Sequence, residues 1–185
     1  MMSEIFTVGH STRSLDELVD ILRSAGVVVL IDVRRFPGSR RHPHFARESL
    51  EGSMPSAGIS YEWWGEELGG RRSRLKADAS RHPGWRVAAF QGYADYMDTR
   101  EFRDALQKLE SVSSDSGPAT IMCAESLWWK CHRRLISDAL VLRGNRVVHL
   151  MGGSKQQDHV VNPAARPDEE GFPIYDVGTT APLDV

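Results

Sequence analysis

The sequence has few cysteines, little net charge and no long apolar run, and each shortage excludes a class of protein. Two cysteines among 185 residues are too few for the disulfide framework of a small secreted domain. No apolar run approaches the roughly 20 residues that cross a bilayer. The N-terminal letters M-M-S-E-I-F lack the basic and then apolar pattern of a signal peptide. We therefore expect a cytoplasmic protein that has reduced thiols and no membrane association.

The net charge of −2 predicts no charged partner by itself, but charge is unevenly distributed along the chain. Residues 34–86 carry 11 basic and 6 acidic side chains, and all of the basic ones except Lys76 are arginines. Arginine suits two-point contacts with phosphate or carboxylate groups. This region is therefore either a solvated basic face or a surface that binds phosphate or nucleic acid, and the sequence leaves both interpretations open.

Short apolar runs alternate with segments that have the apolar spacing of helices, which predicts an α/β fold with a mostly parallel sheet. The predicted strands are Ile5–Val8, Val27–Val33, Ile59–Trp63, Ala119–Met122 and Arg146–Leu150. The predicted helices are Leu15–Ala25, Phe45–Met54, Phe90–Glu110 and His132–Arg143. Together they predict a three-layer sandwich around a sheet of about five strands.

The length predicts one domain over residues 1–185, with a core of about residues 4–152. Ser14 and Glu17 have the spacing of a capping box at the start of the first helix. Residues 153–185 are expected to form an extension that packs on or near the site, and Phe172–Val177 is predicted as an edge strand of the sheet.

Polar side chains stand at or just after the ends of the predicted strands, where parallel sheets bind their ligands. They include His10 and Ser11 after the first strand, Asp32 and Arg34 after the second, and Cys123 and Glu125 after the fourth. We expect these residues to converge on one crevice. Asp32 and Glu125 are candidate acid/base carboxylates and His10 is a candidate general base; Asp32 is alternatively a structural partner of Arg34.

Both cysteines lie between Pro118 and Leu142, where Cys123 follows a strand and Cys131 precedes a helix. Cys123 is either a nucleophile or a small buried apolar residue. The positive end of the helix favours a thiolate at Cys131, which would attack substrate or resolve Cys123. A zinc site is the other interpretation, and its candidate ligands are Cys123, Cys131, His132 and His10.

The start of the helix after Cys131 also favours anion binding, and Arg34, Arg40 and Arg133 are predicted to clamp a phosphate there. The substrate or anion would also contact Ser11, Cys131 and His132. A cysteine phosphatase is excluded by spacing, because nine residues separate Cys123 from Arg133 where the phosphatase loop has five.

The order of short motifs resembles that of a bacterial and archaeal family, the domain-of-unknown-function family 488. The motifs are G-H-S (Gly9–Ser11), D-V-R-R-F-P-x-S-R (Asp32–Arg40), L-G-G (Leu68–Gly70), C-A-E (Cys123–Glu125), C-H-R (Cys131–Arg133) and N-P-A-A-R (Asn162–Arg166). The resemblance implies an α/β domain whose pocket is built from these motifs, and it implies no settled reaction.

Our leading functional hypothesis is an enzyme that acts on a phosphate-bearing substrate, either a nucleotide or a nucleic acid. Its reaction centre would contain Cys123, Glu125, Asp32 and His10. One alternative is a non-catalytic nucleic-acid-binding module that uses the arginine-rich region 34–86. Another is a metal-binding or redox protein that uses the two cysteines and the neighbouring histidines.

Overall fold

The computed structural model describes residues 3–38 and 40–178. Its centre is a six-stranded sheet with the order β3-β2-β4-β1-β5-β6, in which the first five strands are parallel and β6 is antiparallel to β5. The strands are β1 (Glu4–Gly9), β2 (Val29–Asp32), β3 (Ser60–Trp63), β4 (Ala119–Cys123), β5 (Arg146–Gly152) and β6 (Lys155–Asp158). The mostly parallel α/β fold predicted from the sequence is therefore confirmed.

Helices cover both faces of the sheet and give the predicted three layers. They are α1 (Leu15–Ser24), α2 (Arg47–Ser56), α3 (Ala88–Met97), α4 (Arg100–Asp115) and α5 (Arg133–Leu142). Buried side chains of α1 and α2 form one core cluster, and those of α3, α4 and α5 form the other. Neighbouring residues of β2 belong to opposite clusters, since Ile31 packs into one and Leu30 into the other. A strand buried on both faces explains the unbroken apolar run that the sequence shows there.

The predicted helix Phe90–Glu110 is in fact two helices. Thr99 adopts an extended conformation (φ −76°, ψ 153°), and its side chain accepts a hydrogen bond from the backbone N–H of Phe102. The threonine therefore caps α4, although the apolar spacing continues through it. None of the helices in the described ranges combines the length and the hydropathy that spanning a bilayer requires.

The prediction that Phe172–Val177 forms an edge strand of the main sheet is wrong. Its residues Pro173–Tyr175 (β8) pair with Ala165–Pro167 (β7) in a separate two-stranded sheet. The side chain of Tyr175 is buried and donates a hydrogen bond to Asp138 on α5, 2.8 Å away. The hairpin is thus held against the helical layer, and the edge strands of the main sheet are β3 and β6.

Candidate functional site

The carboxyl ends of β1, β4 and β2 lie side by side, so the loops that leave them start from one edge of the sheet. Gly9 of β1 is opposite Cys123 of β4, and Asp32 of β2 is opposite Met122. Beyond the strands, the backbone N–H of His10 donates to the carbonyl oxygen of Cys123 at 2.9 Å. Gly9 packs so closely here that a Cβ at this position would overlap the carbonyl oxygen of Glu125.

A cleft with two adjoining lobes opens at this edge. The lobes have volumes of about 440 and about 570 Å³ and share Arg34, Phe36, Ala124 and Glu125. We call the first the cysteine lobe; among the residues that line it are Cys123, Cys131, His132, Tyr93, Arg35 and Arg71. We call the second the histidine lobe; among the residues that line it are His10, Ser11, Arg40, Arg41 and His42. Volumes of this size suit a small-molecule ligand.

Three side chains at the base of the cysteine lobe form what we call the thiol–imidazole cluster: Cys123, Cys131 and His132. The two sulfurs and one ring nitrogen of His132 all lie within 4.8 Å of one another. Nδ1 of His132 is 3.6 Å from Sγ of Cys131. Nε2 is 3.2 Å from the carbonyl oxygen of Val33, and because a carbonyl only accepts, Nε2 carries a proton. Nδ1 faces the sulfurs, where it donates to a thiolate when the ring is protonated and presents a lone pair when the ring is neutral.

The two thiols differ in acidity because they are hydrogen-bonded to each other. The hydrogen bond to Cys131, together with burial, raises the pKa of Cys123 well above its ordinary value. Burial by itself would raise the pKa of Cys131, but the hydrogen bond from Cys123 and the nearby His132 and Arg133 lower it well below its ordinary value. Cys131 is therefore the sulfur that ionises first, with Cys123 as its hydrogen-bond donor.

Asp32 is fully buried and makes a salt bridge with Arg34. Nε of Arg34 is 2.8 Å from one carboxylate oxygen of Asp32, and the hydroxyl of Tyr61 donates to the other at 2.8 Å. The guanidinium of Arg34 also donates to the carbonyl oxygen of Phe45. These contacts are those of a structural pair that fixes the loop after β2, although Arg34 still reaches the wall of both lobes.

His10 lies in the histidine lobe and is not a member of the thiol–imidazole cluster. Its Nδ1 is 2.9 Å from the carbonyl oxygen of Ser11, and its Nε2 is 3.2 Å from Nη1 of Arg34. Burial and the charge of Arg34 lower the pKa of His10 to about 4. The imidazole is therefore neutral near pH 7 and accepts a hydrogen bond from Arg34. Ser11 beside it has a positive φ of 49°, a strained conformation of the kind that is found at functional loops.

Arg133 is buried and supports the loop after β4 instead of lining either lobe. Nη1 donates to the hydroxyl of Thr7 at 3.2 Å, and Nη2 donates to the carbonyl oxygen of Glu125. The side chain of Glu125 is exposed, and Oε1 accepts from the backbone N–H of Leu127 at 3.3 Å. Arg40 lines the histidine lobe. Of the three arginines predicted to clamp a phosphate, two are thus held by internal partners.

Three cations outside the predicted phosphate clamp line the cysteine lobe: Arg35, Arg71 and Lys130. Within residues 3–38 and 40–178, no carboxylate forms an ion pair with any of them. The guanidinium groups of Arg35 and Arg71 lie 6.0 and 5.7 Å from the centre of the Phe36 ring. Arg71 has a φ of 59° and directly follows the L-G-G motif, which is the sequence signal that could have indicated it.

A family model described as "Domain of unknown function DUF488" matches residues 14–140, which is more than half of the chain. The matched segment contains the whole thiol–imidazole cluster, whereas the G-H-S motif lies before it and the N-P-A-A-R motif after it. Comparisons with curated proteins and with solved structures give no significant match.

Proposed function

Because the chain belongs to the DUF488 family, whose description assigns no activity, we propose a function from the cleft itself. We propose that the protein is an enzyme that acts on a small phosphate-bearing substrate of the nucleotide type. The observation that carries the proposal is the composition of the cysteine lobe. Its wall carries three cations without carboxylate partners in the described chain: Arg35, Arg71 and Lys130. Its floor is formed by two cysteines and a histidine.

The positive charge in this lobe favours an anionic ligand. Arg34 is neutralised by Asp32, and the single negative charge of Glu125 is outnumbered by the three positive charges of Arg35, Arg71 and Lys130, so the wall carries a net positive charge. Guanidinium groups bind phosphate through two parallel hydrogen bonds, and such charge-assisted contacts are about twice as strong as neutral ones. A phosphate in the cysteine lobe would supply the counter-charge that the described protein residues do not.

Aromatic side chains in the same lobe favour a nucleotide over a phosphate ion alone. Phe36, Phe90 and Tyr93 all line the cysteine lobe, and Phe36 is 66% exposed. Aromatic rings hold nucleobases by stacking, typically with about 1–3 kcal/mol per base. A base against these rings and a phosphate against the arginines would fill a lobe of about 440 Å³.

We assign the roles of the cleft residues as follows. The thiol–imidazole cluster is the reaction centre, and Glu125, which lines both lobes, exchanges protons with the substrate or water. Asp32 and His10 position Arg34, and Arg133 positions the loop that carries Glu125. Ser11 and Arg40 in the histidine lobe contact a second part of the substrate.

Calorimetric titration with a nucleoside 5′-monophosphate, the matching nucleoside and inorganic phosphate tests this proposal. The monophosphate should bind most tightly, and Arg71→Gln should weaken it about ten-fold or more, because a charge-assisted hydrogen bond contributes about 1.5–3 kcal/mol. Arg100→Gln is the matched control, since Arg100 is 90% exposed on α4 and pairs with Asp104. Equal affinity in both variants would contradict the proposal.

Alkylation of the thiols connects binding to the reaction centre. A bound monophosphate should slow the reaction of Cys123 and Cys131 with iodoacetamide, and turnover of any nucleotide processed by the protein should be lost in Cys131→Ser. A single-stranded oligonucleotide that binds more tightly than the monophosphate, with a steep loss of affinity in salt, would favour a nucleic-acid-binding module instead.

A further inference from the structure

We infer that the thiol–imidazole cluster is a binding site for a zinc-type divalent metal ion, with Cys123, Cys131 and His132 as its protein ligands. The inference stands on the geometry of these three side chains. It rests on the proposed function in one respect, which is the assignment of the remaining coordination position to water or to a phosphate oxygen of the substrate.

The distances between the candidate ligand atoms fit a tetrahedral ion. Zinc lies about 2.3 Å from a thiolate sulfur and about 2.0–2.1 Å from an imidazole nitrogen, so a tetrahedral angle separates the two ligand atoms by about 3.6 Å. Nδ1 of His132 and Sγ of Cys131 are 3.6 Å apart. The sulfur of Cys123 lies within 4.8 Å of the Cys131 sulfur and of a ring nitrogen of His132, so all three candidate ligands are close enough to share one ion.

The imidazole is already oriented as a metal ligand. Histidines that bind metal donate the other ring N–H to a carbonyl or carboxylate, which fixes the tautomer and the ring plane. Nε2 of His132 lies 3.2 Å from the carbonyl oxygen of Val33, which directly follows β2. The lone pair of Nδ1 is thereby presented to the two sulfurs.

Each ligand comes from a well-supported backbone position, as a pre-organised site requires. Cys123 is the last residue of β4, at the centre of the sheet. Cys131 follows a 3₁₀ turn (Trp128–Lys130), and its N–H donates to the carbonyl oxygen of Trp128 at 3.1 Å. His132 is the N-cap residue of α5.

The chemistry of this ligand set selects the metal and leaves one position open. Thiolate and imidazole suit zinc, whereas calcium and magnesium require oxygen ligands. Structural zinc sites have four protein ligands, and a site with two cysteines, one histidine and an open position is typical of catalytic zinc. His10, the fourth ligand considered from the sequence, directs Nε2 toward Arg34, so it does not fill that position. All three ligands line the cysteine lobe, and the open position therefore faces the proposed substrate.

Zinc competition is the decisive measurement. Reduced, chelator-stripped full-length protein is titrated with Zn²⁺ against a chromophoric chelator, and one ion per chain is expected. Cys123→Ser, Cys131→Ser and His132→Gln should each weaken binding about 100-fold or more, because loss of even an outer-shell partner costs about 10–100-fold. His44→Gln, on the turn Pro43–Phe45, is the control and should bind as wild type does.

X-ray absorption at the zinc edge of the wild-type protein does not depend on the folding of any variant. Two sulfurs, one imidazole and one light atom are expected around the ion. Zinc binding that persists after loss of both cysteines, a wild type that binds no zinc, or a shell without sulfur would each overturn the inference. Nucleotide binding is measured separately: if it persists without zinc binding, the proposed function stands and the metal site fails. If zinc binds and the nucleotide does not, the metal site stands and the proposed function fails.

Discussion

At the scale of single residues, Gly9 determines whether the first strand and the loop after β4 can meet. A Cβ at this position would overlap the carbonyl oxygen of Glu125, a backbone atom that cannot rotate away. We expect Gly9→Ala to lower the free energy of unfolding by about 1–3 kcal/mol, as overpacking in a core does, and to displace Glu125. Urea unfolding at neutral pH measures the effect.

Gly52→Ala is the matched control for this substitution. Gly52 lies inside α2, and a Cβ there would meet nothing within 4 Å. Alanine in a helix interior is more favourable than glycine by about 0.5–1 kcal/mol, so this variant should be more stable than wild type. If Gly9→Ala were also neutral or stabilising, the close approach of β1 to the loop after β4 would be refuted.

Gly70 controls access to the imidazole of the proposed metal site. A Cβ at Gly70 would lie 3.0 Å from Nδ1 of His132, closer than a relaxed contact. We expect Gly70→Ala to displace the ring and to weaken zinc binding about ten-fold, the lower end of the range for disturbed outer-shell contacts. The competition assay measures it, with Gly52→Ala again as control, and an unchanged affinity would contradict this role.

Sequence reasoning predicted which residues stand at the strand ends better than it predicted their partners. The predicted strands before His10 and Cys123 end within one residue of the observed strand ends. The apolar pattern therefore indicates that both residues lie at the carboxyl edge of the sheet. One internal contact of Arg133 is with Thr7, 126 positions away, and no local pattern reports such a contact. The exposed cations Arg71 and Lys130 were passed over for the same reason, because an arginine with a partner and one without look alike in sequence.

At the scale of elements, the capping box at the start of α1 was predicted and is present. The side chain of Ser14 accepts from the N–H of Glu17 at 3.1 Å, and the carboxylate of Glu17 accepts from the N–H of Ser14 at 2.7 Å. We expect Ser14→Ala to lower the free energy of unfolding by about 1 kcal/mol. Ser14→Asp keeps an acceptor and should lose much less. Equal losses in urea unfolding would show that the cap does not act through this hydrogen bond.

The features that sequence reasoning missed, a polar strand and a break between two helices, leave no mark in the apolar pattern of the sequence. All four residues of β6 (Lys155–Asp158) are exposed, so pairing with β5 is the feature that makes them a strand. The break between α3 and α4 at Thr99 lies inside a continuous apolar stripe, and it depends on a cap that only local hydrogen bonding reveals. Buried strands such as β2 were predictable because both of their faces are apolar.

At the scale of the whole molecule, a buried chain of hydrogen bonds joins the sheet to α5 and the C-terminal hairpin. Thr7 donates to Nδ1 of His149 at 2.7 Å, and Nε2 of His149 donates to Nδ1 of His159 at 2.9 Å. Nε2 of His159 donates to Asp138 at 2.7 Å, and Tyr175 donates to the other oxygen of that carboxylate. In this direction each imidazole accepts through Nδ1 and donates through Nε2, so His149 and His159 are both neutral.

Two buried histidines, His149 of this chain and His10 of the cleft, make the stability of the fold depend on pH. Burial and the neighbouring His159 and Arg133 lower the pKa of His149 to about 3, and burial and Arg34 lower that of His10 to about 4. An unfolded histidine has a pKa of about 6.5, so the unfolded chain binds protons that the folded protein does not. The contribution of these two histidines to stability is therefore full above about pH 6.5 and decreases as the pH falls, by about 1.4 kcal/mol per pH unit for each histidine.

Urea unfolding between pH 6.5 and 5 isolates this effect. The carboxylates whose pKa is lowered, among them Asp98 at about 2, also destabilise the fold on acidification, but that loss begins near the unfolded value of about 3.9. His149→Gln and His10→Gln should each remove about half of the histidine contribution to the slope of unfolding free energy against pH, whatever they do to its absolute value. His44→Gln controls for the loss of a histidine outside the two buried sites. Slopes equal to wild type in both buried variants would show that these imidazoles do not exclude protons from the fold, and the neutral hydrogen-bond chain would then be wrong.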